Sequence, residues 1–178
     1  MLFSGTSAAA PFVTGTLASL MSGEEALLGA AAVELVRRHL NDAGAPGNDP
    51  LYGAGVVDWN RLRERGTPGI LDVALAGVHL SPDALPGTNM PVEVTVQNRG
   101  TQWFNQAELE VLINDGEPAR FTIGTLGPGQ TTTRKVFAQV PSIDSEQALY
   151  LEARVLPEDL NEDVRLENNI KSVQYRPR

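Results

Sequence analysis

The spacing of apolar residues changes its period once along this chain, after Gly66-Thr67-Pro68-Gly69. Before this point apolar residues recur every three to four positions, as on one face of a helix. After it they alternate with polar residues, as in a strand with one buried face. A Gly- and Pro-containing stretch at such a change is typical of a link between two units. We therefore predict a mostly helical segment at residues 1–66, a linker at 67–70 and an all-β domain at 71–178.

Three helices are predicted in the first segment. The first begins at Ser7 and carries an apolar face made of Phe12, Val13, Leu17, Leu20 and Met21. The second spans Ala26–Leu40, with its inward face made of Leu27, Ala31, Leu35 and Leu40. Residues 53–58 then predict a tight turn and a short strand, and Trp59–Arg65 a closing helix.

Seven short strands are predicted after the linker. They are Leu71–Leu80, Val92–Gln97, Ala107–Ile113, Arg120–Thr125, Thr131–Val140, Leu149–Leu156 and Ile170–Tyr175. Turn-forming pairs and triplets such as Pro86-Gly87 and Asn114-Asp115-Gly116 separate them. Seven strands at this spacing indicate an antiparallel, immunoglobulin-like sandwich.

Composition excludes several classes of partner. The chain has 178 residues, no cysteine and a net charge of −8. A surface of this sign repels phosphate backbones, and no cluster of Lys and Arg in the sequence reverses it, so we expect no nucleic-acid partner. No apolar run approaches the roughly 18 residues of a spanning helix, so we expect no membrane span. Without cysteine there is no disulfide framework and no thiolate nucleophile or ligand.

Residues 4–15 contain the pattern Ser4-Gly5-Thr6-Ser7-Ala8-Ala9-Ala10-Pro11, and Gly53-Ala54-Gly55-Val56 follows downstream. Together they resemble the nucleophile motif and the closing turn of subtilisin-like serine proteases. The resemblance covers about the first third of the chain. It implies an α/β catalytic domain represented here by its C-terminal segment. It also implies that Ser7 is the nucleophile of peptide-bond hydrolysis, with the backbone N–H of Ser7 in the oxyanion hole.

The other members of the catalytic triad are missing from this chain. The family places its Asp and His before the serine, and the histidines here, His39 and His79, both follow Ser7. We expect His39 to be a solvent-facing residue near a helix C-terminus. We therefore expect this chain to be inactive by itself, because no base takes the Ser7 proton. In the complete enzyme its partners would be a polypeptide substrate and the missing portion of the catalytic domain.

Residues 71–176 resemble the bacterial extracellular adhesion-related modules called CARDB domains. The features in common, in order, include Asp72-Val73-Ala74-Leu75, Val96-Gln97-Asn98-Arg99-Gly100, Leu126-Gly127-Pro128-Gly129 and Leu166-Glu167-Asn168-Asn169. The resemblance implies an extracellular or cell-surface location and a cell-surface or polymer ligand for the sandwich. A secretion signal would then lie upstream of Met1.

One loop and the strand that follows it concentrate oxygen donors, which we call the acidic corner. Its members are Glu158, Asp159, Asn161, Glu162, Asp163, Glu167, Asn168 and Asn169. Ca²⁺ binds through such ligands, but acidic turns are more often solvated, and Asn side chains often bond to nearby backbone. We predict no cofactor here and keep a Ca²⁺ site as the alternative.

Two functions remain open from the sequence. The leading one is the C-terminal portion of a secreted subtilisin-like endopeptidase. The alternative is a non-enzymatic extracellular binding module, in which residues 1–66 are a structural remnant of a protease.

Overall fold

The computed structural model describes residues 5–22, 27–81, 83–145, 147–158 and 163–176. Within these ranges helices are confined to the first part of the chain, and strands dominate the rest. The elements, in order, are α1 Thr6–Ser22, α2 Gly29–Arg38, β1 Leu40–Asn41, β2 Val56–Val57, α3 Trp59–Glu64, β3 Val73–Leu80, β4 Asn89–Asn98, β5 Ala107–Ile113, β6 Ala119–Ile123, β7 Thr131–Gln139, β8 Leu149–Pro157, a 3₁₀ turn at Leu166–Asn168 and β9 Ile170–Tyr175.

The seven strands β3 to β9 form two antiparallel sheets. One has the order β3-β4-β7 and the other β6-β5-β8-β9. Their inner faces meet in one core, as in a β-sandwich. Strand β8 illustrates how the sequence pattern forms this core. Leu149, Leu151 and Val155 alternate with outward-facing residues and are fully buried. Burying each such side chain contributes about 1.5–3 kcal/mol. The predicted immunoglobulin-like sandwich is confirmed.

The N-terminal helices are less buried than the strands of the sandwich. Helices α1 and α2 contact each other, but in α1 Thr16 is the buried residue, while Phe12 and Met21 are 55% and 45% exposed. The predicted inward face of α2 was wrong. Ala32 and Val36 are the buried side chains, Ala31 is exposed and Leu35 is half-buried.

The two end residues of the predicted second helix are not part of α2. Leu40 belongs to strand β1, because α2 ends at Arg38, and Ala26 lies outside the described residues. The buried stripe of α2 is set by what it packs against, so several apolar residues on a short helix do not show which face turns inward.

Residues 40–42 lie across the outer face of β4. The Asp42 backbone N–H donates to Gln97 Oε1 at 3.1 Å, and Gln97 Nε2 donates to the Leu40 carbonyl at 3.1 Å. Gln97 is therefore only 3% exposed, although it points away from the sandwich core. The end of β4 is buried on both faces, and hydrogen bonds join the two segments that the change of period separates.

Candidate functional site

Ser7 lies in the first turn of α1 with its side chain exposed. Gly5 precedes the helix at φ 118°, and its carbonyl accepts from the N–H groups of Ala8 and Ala9 at 2.9 and 3.1 Å. The N–H groups of a first helical turn have no intrahelical acceptor, so that of Ser7 is available to an external oxygen. Pro11 also lacks the N–H that would otherwise donate to the Ser7 carbonyl.

Within the described residues, neither histidine is hydrogen-bonded to Ser7. His79 lies in strand β3, and His39 caps the C-terminus of α2. The His39 Nδ1 lies 2.8 Å from the Leu35 carbonyl oxygen, so this nitrogen carries the proton. The expectation that His39 faces solvent was wrong, because the ring is half-buried and lines a cavity with several arginines. Burial foremost, and also these arginines, lowers the pKa of His39 and favours the neutral imidazole.

The described part of the acidic corner is organised around nitrogen donors. Asp163 is 7% exposed, and its carboxylate accepts from the backbone N–H of Val73 at 3.2 Å and of Arg165 at 2.9 Å. The Asn169 amide donates to it as well, at 3.1 Å. These bonds fasten the loop before β9 to the start of β3, which is a structural role. Asp159, Asn161 and Glu162 lie outside the described residues.

A partly buried network of one arginine and two carboxylates lies beside the same corner. Arg165 donates to Asp72 Oδ2 at 2.6 Å and to Glu64 Oε2 at 2.6 Å, and Asn168 donates to the other oxygen of Asp72 at 2.9 Å. The hydrogen bond with Glu64 is the main reason that the pKa of Arg165 is raised. Through this pair, helix α3 is bound to the sandwich across about a hundred residues of sequence.

The described residues of the acidic corner do not by themselves make up a Ca²⁺ site. Across the described ranges no three acidic or histidine side chains are placed to hold a metal. Asn168 Oδ1 and Asn169 Oδ1 are buried without a hydrogen-bond partner among the described residues. By themselves, these two neutral oxygens are too few for an ion that takes six to eight oxygen ligands, carboxylates among them.

A groove that the sequence interpretation missed lies at the end of the sandwich, in the loop between β4 and β5. Trp103 is 62% exposed there, and its ring lies directly on Gly127, so closely that a Cβ on Gly127 would approach ring atoms to 2.9 Å. The groove has a volume of about 200 Å³, and its polar lining consists of Gln102, Asn105, Gln106 and Glu158. A tryptophan among amides in a predicted loop was the sequence signal for it.

Hydrogen bonds join the backbone of the Trp103 loop to buried residues of the sandwich. Asn98 is fully buried and donates to the carbonyls of Gln102 at 2.8 Å and Leu126 at 2.9 Å. Phe104, 4% exposed, pairs with Leu126 through two backbone hydrogen bonds of 3.2 and 3.1 Å. The exposed ring is therefore carried by a loop whose backbone is hydrogen-bonded to the sandwich on both sides of Trp103.

Comparison with protein families agrees with this fold. The model of the CARDB family matches residues 78–173, more than half of the chain. This chain belongs to the CARDB family. The match takes in the strands β4 to β8, the Trp103 groove except for Leu71, and the described part of the acidic corner. It leaves residues 1–77 and 174–178 outside.

A solved CARDB domain shares the fold at low sequence identity. The crystal structure of the CARDB domain of a Pyrococcus furiosus protein, in complex with di-metal ions, is 21% identical with a TM-score of 0.50. It covers 61% of this chain, and 94% of that domain is matched. A solution structure of the same domain has a TM-score of 0.45 at 21% identity and covers 58% of this chain and 90% of its own. No curated protein matches the chain at a significant level.

These comparisons support the CARDB sandwich and not a protease. The subtilisin-like segment predicted for residues 1–66 lies outside the family match, and the roles predicted for Ser7 remain predictions. No helix in the described ranges is long and apolar enough to cross a membrane.

Proposed function

We propose that this chain is a non-enzymatic, extracellular binding module whose CARDB sandwich attaches to a polysaccharide. The observation that carries the proposal is the exposed ring of Trp103, which lies against Gly127 in an amide-lined groove. The extracellular location is part of the proposal and follows from the adhesion role that the CARDB resemblance implies.

The chemistry of the groove matches a sugar ring. A sugar has an apolar face of C–H groups, which packs on a flat aromatic ring, and a rim of hydroxyl groups. Side chains of Gln102, Asn105 and Gln106 offer both donors and acceptors to such hydroxyls. Small-ligand sites commonly combine an aromatic surface with a few polar groups in this way.

The expected affinity from Trp103 is modest. A tryptophan buries about 150–250 Å² when fully covered. If a ligand covers on the order of 100 Å² of the exposed ring, the gain is about 2.5 kcal/mol, which is close to a hundredfold in Kd. Such a weak contact suits attachment at several sites along a repeating polymer.

The test is retention of the full chain on insoluble cellulose, chitin and peptidoglycan. Wild type should bind one of them, and Trp103→Ala should weaken binding at least tenfold. Phe137→Ala is the matched control, because Phe137 is an equally exposed aromatic residue, at 63%, on strand β7. Equal retention of the three proteins, or no retention of wild type on any polymer, would contradict the proposal.

A second function is favoured by one observation, the exposed Ser7 on the first turn of a long helix after Gly5. We propose that residues 1–66 derive from the C-terminal segment of a subtilisin-like endopeptidase, joined by residues 67–70 to the sandwich at 71–178. In a complete enzyme Ser7 would be the nucleophile and its N–H an oxyanion donor. The apolar residues exposed on α1 are consistent with a missing neighbour.

This second proposal is tested with a fluorophosphonate probe. The chain alone should neither label nor cleave casein, because Ser7 has no base. Adding an upstream fragment with the missing catalytic residues should restore labelling in wild type and not in Ser7→Ala. Labelling of the chain alone, lost in Ser7→Ala, would show that the expected inactivity is wrong.

We also propose that the acidic corner works without a metal, since backbone N–H groups and the Asn169 amide already bond to the Asp163 carboxylate. Ca²⁺ should then raise the melting temperature no more than NaCl of equal ionic strength. A site filled 100-fold above its Kd would add about 2.7 kcal/mol. A Ca²⁺-specific rise that disappears in Asp163→Asn would overturn this prediction.

A further inference from the structure

A cavity of about 210 Å³ lies where the helical segment meets the loops after β4 and β6. Of the described residues that line it, five carry basic side chains and one is acidic: Arg38, His39, Arg61, Arg65, Arg99 and Glu64. This composition is unusual in a chain with a net charge of −8. The basic residues come from α2, α3 and the β4–β5 loop, so only the tertiary structure brings them together.

Arg61 is the most buried of these side chains, at 4% exposure. Its Nε donates to the Arg99 carbonyl at 3.1 Å, and its Nη1 donates to the Leu40 carbonyl at 2.6 Å and to Asn41 Oδ1 at 3.0 Å. All three acceptors are neutral oxygens. Its Nη2 lies beside Gly129, 3.8 Å from where a Cβ there would stand, and Gly129 also lines the cavity.

Two of the cations that line the cavity, Arg61 and Arg99, donate only to neutral carbonyl and amide oxygens among the described residues, whereas Arg38 pairs with Glu34 at 2.9 Å. Glu64, the one acidic residue of the lining, is engaged by Arg165 at 2.6 Å and lies 3.7 Å from Arg63. Burial, and then repulsion by Arg99, lowers the pKa of Arg61 to about 10. Burial lowers the pKa of Arg99, and the attraction of Asp72 offsets this only in part. A buried guanidinium that donates only to neutral oxygens is stabilised strongly by an added anion.

We propose that this cavity binds a small oxyanion of the sulfate or phosphate class. Guanidinium groups offer paired N–H donors that match the oxygens of such ions, and a partly buried site strengthens each contact. The volume admits one tetrahedral anion with a few waters, or one sulfate or phosphate ester group of a larger molecule. The proposal does not rest on the polysaccharide-binding role, because the cavity and the Trp103 groove share no lining residue.

The chain contains its own reporter for this site. His39 lines the cavity, whereas His79 lies on strand β3, and these are the two histidines of the chain. The charged groups that face His39 are Arg38 of α2, Arg61 and Glu64 of α3, Arg65 directly after α3, and Arg99 of the β4–β5 loop. An anion held among them stabilises the imidazolium, so it should raise the pKa of His39 and leave that of His79 unchanged.

The experiment follows the ring C–H signals of both histidines in the full chain by NMR, with sodium sulfate or sodium phosphate added at constant ionic strength. We expect a saturable rise of about half a unit or more in the pKa of His39 only. Arg38→Gln, on an exposed side chain of the lining, and Arg99→Gln should each weaken the apparent affinity at least threefold. Arg154→Gln is the control, an arginine of β8 that pairs with Glu152 away from the cavity.

A second arm distinguishes the source of the anion by comparing dextran sulfate with dextran. A His39 response to dextran sulfate and not to inorganic ions would assign the site to an ester group on a polymer. Equal responses of both histidines, or a His39 response that does not saturate, would show an ordinary ionic effect and overturn the proposal. No response to any of these anions would overturn it as well.

Discussion

Gly100 is placed so that even one added methyl group should destabilise the sandwich. A Cβ at this position would overlap the carbonyl oxygen of Ile70, and it would approach the Asp72 nitrogen to 2.9 Å and the Ile70 carbonyl carbon to 3.1 Å. All three atoms are backbone, so no side chain can rotate away. Here the loop after β4 crosses the residues that lead into β3.

The expected cost of Gly100→Ala combines two effects. Forcing extra volume into a packed site costs about 1–3 kcal/mol. The same shift stretches the hydrogen bonds by which Thr101 and Gln102 donate to the Ile70 carbonyl, at 2.9 and 3.2 Å, each worth about 1 kcal/mol. The smaller entropy of an unfolded alanine returns about 0.4–1 kcal/mol. We therefore expect a net loss of about 3 kcal/mol.

Urea unfolding followed by far-UV circular dichroism measures this loss as a fall in the midpoint at unchanged slope. Gly124→Ala is the matched control, because a Cβ there meets nothing within 4 Å. That variant should unfold within about 1 kcal/mol of wild type. If Gly100→Ala also stays within about 1 kcal/mol, the close approach of these two backbone segments is wrong.

Three further results are expected. Asp58→Ala should lose about 1–2 kcal/mol, because the Asp58 carboxylate caps α3 by accepting from two backbone N–H groups and accepts from Asn41 at 2.8 Å; urea unfolding unchanged from wild type would contradict this. The pKa of His39 is lowered in the folded protein, so below about pH 6.5 the unfolded chain takes up a proton at His39 more readily than the folded chain does. The free energy of unfolding should therefore be highest above about pH 6.5 and fall as the pH is lowered from there. His39→Gln should remove that part of the pH dependence, and identical pH profiles of both proteins would argue against it. Phe12→Ser with Met21→Ser should reduce self-association in sedimentation velocity, since both side chains are exposed on α1, and an unaltered distribution would show that this face is not responsible.

Local patterns were sufficient where a strand has one buried face. Ala107–Ile113 and Ile170–Tyr175 were predicted with the bounds that the structure shows, because alternation and flanking turn residues report both the period and the ends of a strand. The start of α1 was also readable. The buried face of α2 could not be predicted from the sequence. A helix with apolar residues on several sides buries the side that its neighbours cover, and those neighbours are known only from the structure.

The candidate sites divide in the same way. The sequence showed Ser7 as a motif and the acidic corner as a cluster, because their members are neighbours along the chain. It did not show that Arg165, Asp72 and Glu64 form one ion pair network, since Arg165 and Glu64 are about a hundred positions apart. The arginine-lined cavity was missed for the same reason, whereas the Trp103 groove was missed although most of its lining, residues 102–106, is continuous in the sequence.

The sequence by itself determined the class of each segment, because periodicity and turn chemistry are local properties of the chain. Only the tertiary structure decided the strand order β3-β4-β7 and β6-β5-β8-β9, the burial of Gln97 on the outer face of β4, and the collection of basic side chains into one cavity. These features depend on which surfaces meet after the chain folds, and contacts between distant residues leave no period in the sequence.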